Sequence, residues 1–403
     1  MKVLQITNKI PIPARDGGSI ASLRLSTGMV KLGHDVTVMA MNTSKHFIDK
    51  DLWGPLSEKA GFRLLPIKMN TDIKAINGLG NLLFSRLPYT GVRFLSKEFQ
   101  QELESLLKKE SFDFVIIENL YPFLYIKSIR KFSRAKIVMR AHNVEHEIWE
   151  RTASNTKGVK GLYLANLAKR IKRFELKLIN NYDYLAPITH RDLLAFNKLG
   201  NQKPSTILQT GISINSSSKK IDHNKIMEIA HLGALDWAPN QDGLMWFIKE
   251  VWPLVLKQIP EMQFNIAGRN APVWFEKELK NHNVKYHGEV LSASDFTCTF
   301  PIHIVPLWSG SGMRIKIIEA MSQARIIVTT PIGVEGINAV NDEALIIRDK
   351  PEDFAQAIID LVNKPELVDK ISQNAFTFVE ENFENTNLVK GFIRFIENDD
   401  SSC

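Results

Sequence analysis

The chain predicts an α/β protein built from two doubly wound, Rossmann-like domains. Three observations predict it. Apolar strand segments alternate with helical segments along most of the 403 residues, the pattern of parallel sheets with crossover helices. Glycines recur where those strands end, among them Gly17, Gly18, Gly233, Gly268, Gly310 and Gly336. The alternation breaks over a polar stretch near 200–225, rich in Ser and Lys, and then restarts. Two domains are also what a chain of this length suggests. The expected limits are 1–205 for the first domain and 206–380 for the second, with a C-terminal helix and tail over 381–403 that can pack back on the first.

In order, residues 1–7 (MKVLQIT) read as a buried first strand. A loop with Pro11, Pro13, Gly17 and Gly18 follows, then an apolar-periodic helix over 19–32 ended by Gly33. Residues 35–41 form the second strand. The loop is not the G-x-G-x-x-G of a dinucleotide site and lacks the acid that would follow it. It reads either as a tight turn or as a place for an anion or an acceptor. From 44 to 110 the pattern is looser, with a helix over 96–109. Residues 112–117 are a buried strand ending at Glu118, and 135–139 another, running directly into Arg140-Ala141-His142-Asn143-Val144-Glu145-His146. Polar groups at the carboxyl end of a parallel strand stand where α/β sheets bind ligands; a lone histidine is otherwise structural.

Residues 158–180 form an amphipathic helix. Leu164, Leu167, Ile171, Phe174 and Leu178 share one face by their 3, 4, 3, 4 spacing, and Lys169, Lys172, Arg173 and Lys177 lie off it. The basic side is a solvated back or a surface for anionic lipid headgroups. A strand over 182–187 and a helix over 189–199 complete the first half. The second half repeats the scheme: strand 228–232, loop 233–241, helix 242–259, strand 262–267 closed by Gly268-Arg269, a segment at 282–287, strand 300–307, strand 326–330, strand 344–347 and helices from 352.

Composition narrows the function classes. The hydrophobic fraction of 44% suffices for packed cores. Cys298 and Cys403 make neither a disulfide framework nor a metal-ligand spacing. The apolar run at the N-terminus is too short for a signal peptide, and no stretch approaches 18 apolar residues. A cytoplasmic protein is expected, peripheral at the inner face of the membrane if the basic helix touches lipid. The net charge is +7, and residues 151–200 hold ten Lys or Arg against three acids, an excess equal to that of the whole chain. That segment carries no nucleic-acid motif, so nucleic acid is not an expected partner.

The stretch with the most chemistry is 301–323, PIHIVPLWSGSGMRIKIIEAMSQ. A buried strand runs into Ser309-Gly310-Ser311-Gly312, and a helix starts near Met313 with Arg314 and Lys316 in its first turns and Glu319 within it. Glycines let backbone approach a ligand closely, and a helix start offers unpaired N–H groups at a positive dipole end. Two cations beside them suit a diphosphate, and Glu319 can accept hydrogen bonds from hydroxyls such as those of a ribose. The plainer reading makes Ser311 an N-cap and Arg314 and Lys316 a solvated face. Two doubly wound domains facing across a cleft, with glycines at the strand ends, make the architecture called GT-B.

With HLGALDWAPNQDGLMWF, NIAGR, VPLWSGSGMRIKIIEAMSQARIIVTTPIGVEGI, RAHNVEHEIWERTA and YDYLAPITHRD in view, the chain resembles the retaining glycosyltransferases of family 4, over essentially its whole length. The resemblance implies a nucleoside diphosphate sugar as donor, a hexosyl group moved with retention to a glycan, lipid-linked or other hydroxyl acceptor, and a place in cell-surface polysaccharide or glycolipid assembly. It implies no cofactor, no metal and no protein nucleophile. Glu319 matches the second Glu of the family's pair spaced by seven residues, the one that meets the donor ribose. The first falls at Ser311, a departure that leaves open how the donor sugar hydroxyls are met. The family's Arg and Lys after the first strand of the second domain are also missing from 233–241, so Arg314, Lys316 and Arg269 are the candidates to replace them. The resemblance further assigns His142 to the reacting sugar and Gly17, Gly18 and Asn143 to the diphosphate and acceptor. Gly233, Gly310, Ser311, Gly312, Glu335 and Gly336 fall to the donor. The alternatives are another GT-B enzyme, such as a UDP-sugar 2-epimerase, and a degenerate nucleotide-binding partner subunit.

Overall fold

The computed structural model describes residues 1–14, 16–85, 87–214, 221–282, 284–310 and 313–400. The chain forms two units, one made of Met1–Gly211 with Asn385–Cys403 and the other of Ile212–Glu384. The first unit holds the chain beyond residue 205 because the Thr206 N–H donates to the Leu185 carbonyl at 3.1 Å and the Leu208 N–H to that of Pro187 at 2.9 Å.

The first unit carries β1 (Lys2–Thr7), β2 (Asp35–Thr43), β3 (Arg63–Met69), β4 (Phe114–Glu118), β5 (Lys136–Arg140) and β6 (Tyr184–Leu185). They form one sheet in the order β3-β2-β1-β4-β5-β6, each adjacent pair parallel. The second unit repeats this with β7 (Glu228–Leu232), β8 (Gln263–Ala267), β9 (Lys285–Tyr286), β10 (Ile302–Val305), β11 (Ile326–Thr329) and β12 (Ile346–Ile347). Their order is β12-β11-β10-β7-β8-β9, again all parallel. Both sheets have the doubly wound order, with the chain reversing direction across the sheet between β1 and β4 and between β7 and β10. The crevice at such a reversal, at the carboxyl ends of the strands, is where α/β sheets take ligands.

Helices cover both faces of each sheet, so the strands are apolar on both sides. In β4, Val115 and Ile117 enter one core cluster with Leu4, Ile6 and Met39, while Phe114 and Ile116 enter another with Val3 and Val38. The second of these is closed by Val389, Phe392, Ile393 and Ile396 of the helix Asn385–Asp400. That helix passes so close to helix Gly17–Lys31 that a Cβ on Gly28 would fall 2.7 Å from Val389 Cγ2. In the second unit the core is built on Trp252, Phe247, Phe264, Ile302, Ile326 and Phe354.

Three elements differ from the expectation. β3 lies in the stretch read as loose, because a strand at the sheet edge tolerates Pro66 and Lys68 among its apolar residues. The helix expected from 242 begins at Ala238, with Pro239 in its first turn where its missing N–H is not needed. Gly17 and Gly18 are not loop residues but the first residues of helix Gly17–Lys31.

Candidate functional site

The second unit concentrates polar side chains at the carboxyl ends of β7 and β10. His231 on β7 donates from Nδ1 to the Ile304 carbonyl on β10 at 2.9 Å. A carbonyl only accepts, so Nδ1 carries the proton. Burial, with Lys316 beside it, holds the imidazole well below its ordinary pKa and therefore neutral, which leaves Nε2 as a lone pair. That lone pair faces Lys316 Nζ at 3.4 Å. Lys316 Nζ also donates to Asn240 Oδ1 at 3.1 Å, and Asn240 is fixed in turn by its Nδ2 donating to the Ala234 carbonyl at 2.8 Å. Gly233 lies directly over the cluster: a Cβ there would come within 3.1 Å of Lys316 Nζ, His231 Nε2 and Asn240 Nδ2 alike. Burial and the neighbouring Arg314 push the Lys316 ammonium down to about 7.

Arg314 is the N-cap residue of helix Ile315–Met321 and is 6% exposed, so the solvated-face reading is corrected for it. The guanidinium lies 5.8 Å from the centroid of the Trp237 ring, a cation–π contact. Burial lowers its pKa and Glu335 opposes the shift. Gly310 closes this corner with φ +115°, a backbone region that favours glycine, and a Cβ there would stand about 3 Å from both Arg314 Nη2 and Trp237. Trp237 keeps 38% of its surface exposed. Glu319 lies on the same helix as Lys316, three residues on and half-buried, so the two side chains share a side. Gly233, Gly310, Arg314, Lys316 and Glu335 thus come together. Ser311 and Gly312 fall outside the described residues. Arg269 is exposed just past β8, its carbonyl accepting from the Leu235 N–H at 2.9 Å. Gly336 sits in the turn after β11 with φ +83°.

The first unit has its own polar knot at the carboxyl ends of β1, β4 and β5. Glu118 is fully buried. Its Oε1 accepts from Gln5 Nε2 at 2.7 Å and from Arg140 Nη1 at 3.2 Å, and its Oε2 pairs with His142 Nε2. Burial alone would raise this carboxyl, but Arg140 and His142 outweigh it and hold it at about 2. Arg140 Nη1 also donates to the Ala21 carbonyl at 2.8 Å. His142 is therefore oriented from behind, and half-buried Asn143 follows it. At the start of helix Gly17–Lys31, Asp16 already caps the helix by accepting from the Ser19 N–H at 2.9 Å, and Lys9 holds Asp16 at 2.7 Å. A Cβ on Gly18 would meet only ordinary contacts, the nearest to Lys9 Nζ at 3.4 Å.

Beside His142, Glu175 accepts from the N–H groups of Glu145 and His146 at 2.9 and 3.1 Å and from His146 Nδ1 at 2.6 Å, capping the helix Glu145–Ser154 with a carboxylate from the basic helix Gly158–Leu178. The predicted apolar stripe of that basic helix is buried, and Lys169, Arg173 and Lys177 point outward. Its outer side also shows Val159 and Leu162, 85% and 74% exposed.

The sequence reading passed over His231, Trp237, Asn240, Gln5 and Glu118. For His231, Gln5 and Glu118 a signal existed, a polar residue inside an otherwise apolar strand (EIAHL, KVLQIT, FVIIE). For Trp237 and Asn240 only the fold brings them to Arg314 and Lys316.

Residues 227–364 match the family model described as Glycosyl transferases group 1. Over 98% of its length the chain is 24% identical to 99% of a Klebsiella pneumoniae protein described as an uncharacterized 44.6 kDa protein in the cps region. Among solved structures it is similar to Anabaena Alr3699/HepE in complex with UDP-glucose, with 13% identity, TM-score 0.66 and complete coverage of both chains. TarM gives TM-score 0.69 at 11% identity over 98% of each chain. The pneumococcal O-GlcNAc transferase GtfA, in complex with UDP and GlcNAc, gives 0.64 at 12% over 99% of each. At these identities the structures establish the fold, and it is GT-B: two Rossmann-like parallel-sheet units in one chain.

Proposed function

We propose that the chain is a retaining glycosyltransferase that moves a hexosyl group from a nucleoside diphosphate sugar to a hydroxyl acceptor. The observation that carries the reading is the pair of cations, Lys316 and Arg314, fixed at the carboxyl ends of β7 and β10 where the second sheet reverses. The stretch that matches the group 1 glycosyltransferases contains both, and proteins that share the fold are named as complexes with UDP or UDP-glucose.

The diphosphate leaving group gains charge as its bond to the sugar breaks. Fixed cations meet that charge better in the transition state than in the ground state, which is what accelerates the reaction. Lys316 and Arg314 take this role with no divalent ion or cofactor assigned. Glu319 is assigned to the ribose, and Gly233, Arg269, Gly310, Glu335 and Gly336 to the rest of the donor. In the first unit, His142, held by Glu118, is assigned to the sugar being transferred, and Gly17, Gly18 and Asn143 to the acceptor side. Retention rests on the resemblance to the retaining glycosyltransferases of family 4, not on any one residue. The acceptor class is a glycan or lipid-linked hydroxyl, and the relative named for a cps region supports polysaccharide biosynthesis. Among the described residues no helix is long and apolar enough to cross a membrane. A peripheral enzyme at the inner face of the cytoplasmic membrane, contacting anionic lipid through helix Gly158–Leu178, is the arrangement proposed.

Thermal shift against UDP-, GDP- and ADP-sugars, with and without EDTA, tests the reading. One donor should raise the apparent stability, since it binds only the native state, and EDTA should not remove the effect. Arg314→Ala with Lys316→Ala should abolish turnover, and Glu319→Ala should weaken donor binding in a folded protein. Wild-type nucleotide affinity in all three substitutions would sink the assignment.

A further inference from the structure

We propose that His231 is a positioning residue for Lys316: its neutral imidazole, locked by the Ile304 carbonyl, holds the Lys316 amine at the strand ends with one N–H left for a donor phosphate. The inference rests on the donor-site reading above and deepens it. Lys316 has three N–H groups when charged. Asn240 Oδ1 takes one at 3.1 Å and His231 Nε2 a second at 3.4 Å. His231 is 1% exposed, so its Nε2 lone pair has no bulk water to accept from, and losing Lys316 would leave a buried acceptor unmet. Each side thus fixes the other, and the direction of the third N–H is set by the two that are used.

A consequence follows for proton uptake. Among the described residues, Arg314 at the head of its own helix is the titratable group that shifts Lys316, and Lys316 in turn lowers His231 on β7 and His303 on β10. Burial holds His303 at about 4 and His231 well below its ordinary value, so neither charges near neutrality. Asn240, from helix Ala238–Trp246, is uncharged, and Glu319 is the carboxylate of the helix that carries Lys316. With its pKa at about 7, the free Lys316 amine is only partly protonated at neutral pH. A diphosphate raises that pKa on binding, so the complex takes up a proton. Affinity is then full below about pH 7 and falls as pH rises through the free value, by up to about tenfold per unit. An acceptor that favours the charged amine raises its pKa, so removing His231 should start that fall at lower pH.

The experiment is calorimetric titration with UDP-glucose, GDP-mannose and ADP-glucose in turn, from pH 6 to 9, in buffers of different ionisation enthalpy. The diphosphate diester of these donors does not titrate in that range, and the uracil and guanine N–H groups do so only at its alkaline end, so proton uptake over the neutral part of the range reports the protein. Wild type, His231→Phe and His231→Gln are compared, with circular dichroism confirming that each is folded. His231→Phe keeps ring volume in the strand and removes the acceptor; it should bind about tenfold more weakly, with the pH fall displaced downward. His231→Gln offers an acceptor again and should recover most of both. If His231→Phe does not fold, His231→Val, a residue that a buried strand accommodates, takes its place as the variant without the acceptor, with the same expected loss. Wild-type affinity and pH profile in His231→Phe, or donor binding without proton uptake, would overturn this inference and leave the donor site standing. Failure of every donor to bind wild type would overturn both.

Discussion

A carboxylate without solvent survives at Glu118 because both of its oxygens have partners: Gln5 and Arg140 on one, His142 on the other. Such an arrangement is easily broken from one side. Glu118→Ala leaves the Arg140 guanidinium buried without its counter-charge, and removing one member of a buried pair costs about 3–5 kcal/mol. Urea unfolding at pH 7 should show a loss of that order. The same group sets part of the acid sensitivity. Its folded value of about 2 lies below the ordinary 4.5, so its contribution is present above 4.5 and lost as pH falls toward 2. Replacement should shrink the stability difference between pH 6 and pH 3; an unchanged difference would mean that the carboxyl titrates alike in both states. Little of this was legible beforehand. Glu118 could be read as a polar strand end, but its pairing with Arg140 follows from the β4–β5 register, in which the two residues stand side by side, and a single sequence does not display register. For Arg314 the sequence leaves a ligand site and a solvated face both open, and only the contact with Trp237 and Gly310 explains its burial.

Elements were more legible than residues, because hydrophobic period is a local signal. The stripe on helix Gly158–Leu178 was read from its spacing and is buried as expected, and the alternation in the second half corresponds to β7, β8, β10, β11 and β12. What failed was local as well: β3 lacks a clean period, and helix Ala238–Trp246 starts with Pro239 in its first turn, ahead of the residues whose spacing predicts it. The outer side of the basic helix poses the question that the stripe does not answer. Lys169, Arg173 and Lys177 face outward and Val159 and Leu162 stand exposed near its start, a combination of cations and apolar anchors that suits an anionic interface. Replacing Lys169, Lys172, Arg173 and Lys177 by Gln should reduce sedimentation with phosphatidylglycerol vesicles, by about 1 kcal/mol for each cation near the surface. Lys172 should contribute least, since it is 3.8 Å from Glu150. Equal sedimentation of wild type and variant at low salt would make the basic side a solvated one.

At the scale of the whole molecule, the two units differ in how the chain builds them. Ile212–Glu384 is one continuous segment whose ends are tied together, the Ile212 N–H donating to the Phe383 carbonyl at 2.8 Å. Its core, from Ile229 to Phe383, is supplied by that segment. The first unit is discontinuous: residues 1–211 leave one sheet face to be covered by Val389, Phe392, Ile393 and Ile396, which arrive only after the second unit has been made. Gly211 marks the junction, since a Cβ there would fall 2.5 Å from the Asn385 Cα. Two fragments should therefore behave differently. Residues 212–384 alone should fold cooperatively and, because the Lys316–His231–Asn240 cluster and Arg314 lie within them, should bind the donor that the full chain binds. Residues 1–211 alone should expose the apolar face around Val3, Leu25 and Met29 and aggregate, and adding a peptide of residues 385–400 should restore solubility. Donor binding that appears only in the full chain would show that the cation cluster on β7 and β10 is not a sufficient site, and would send the search for the missing contacts to the first unit.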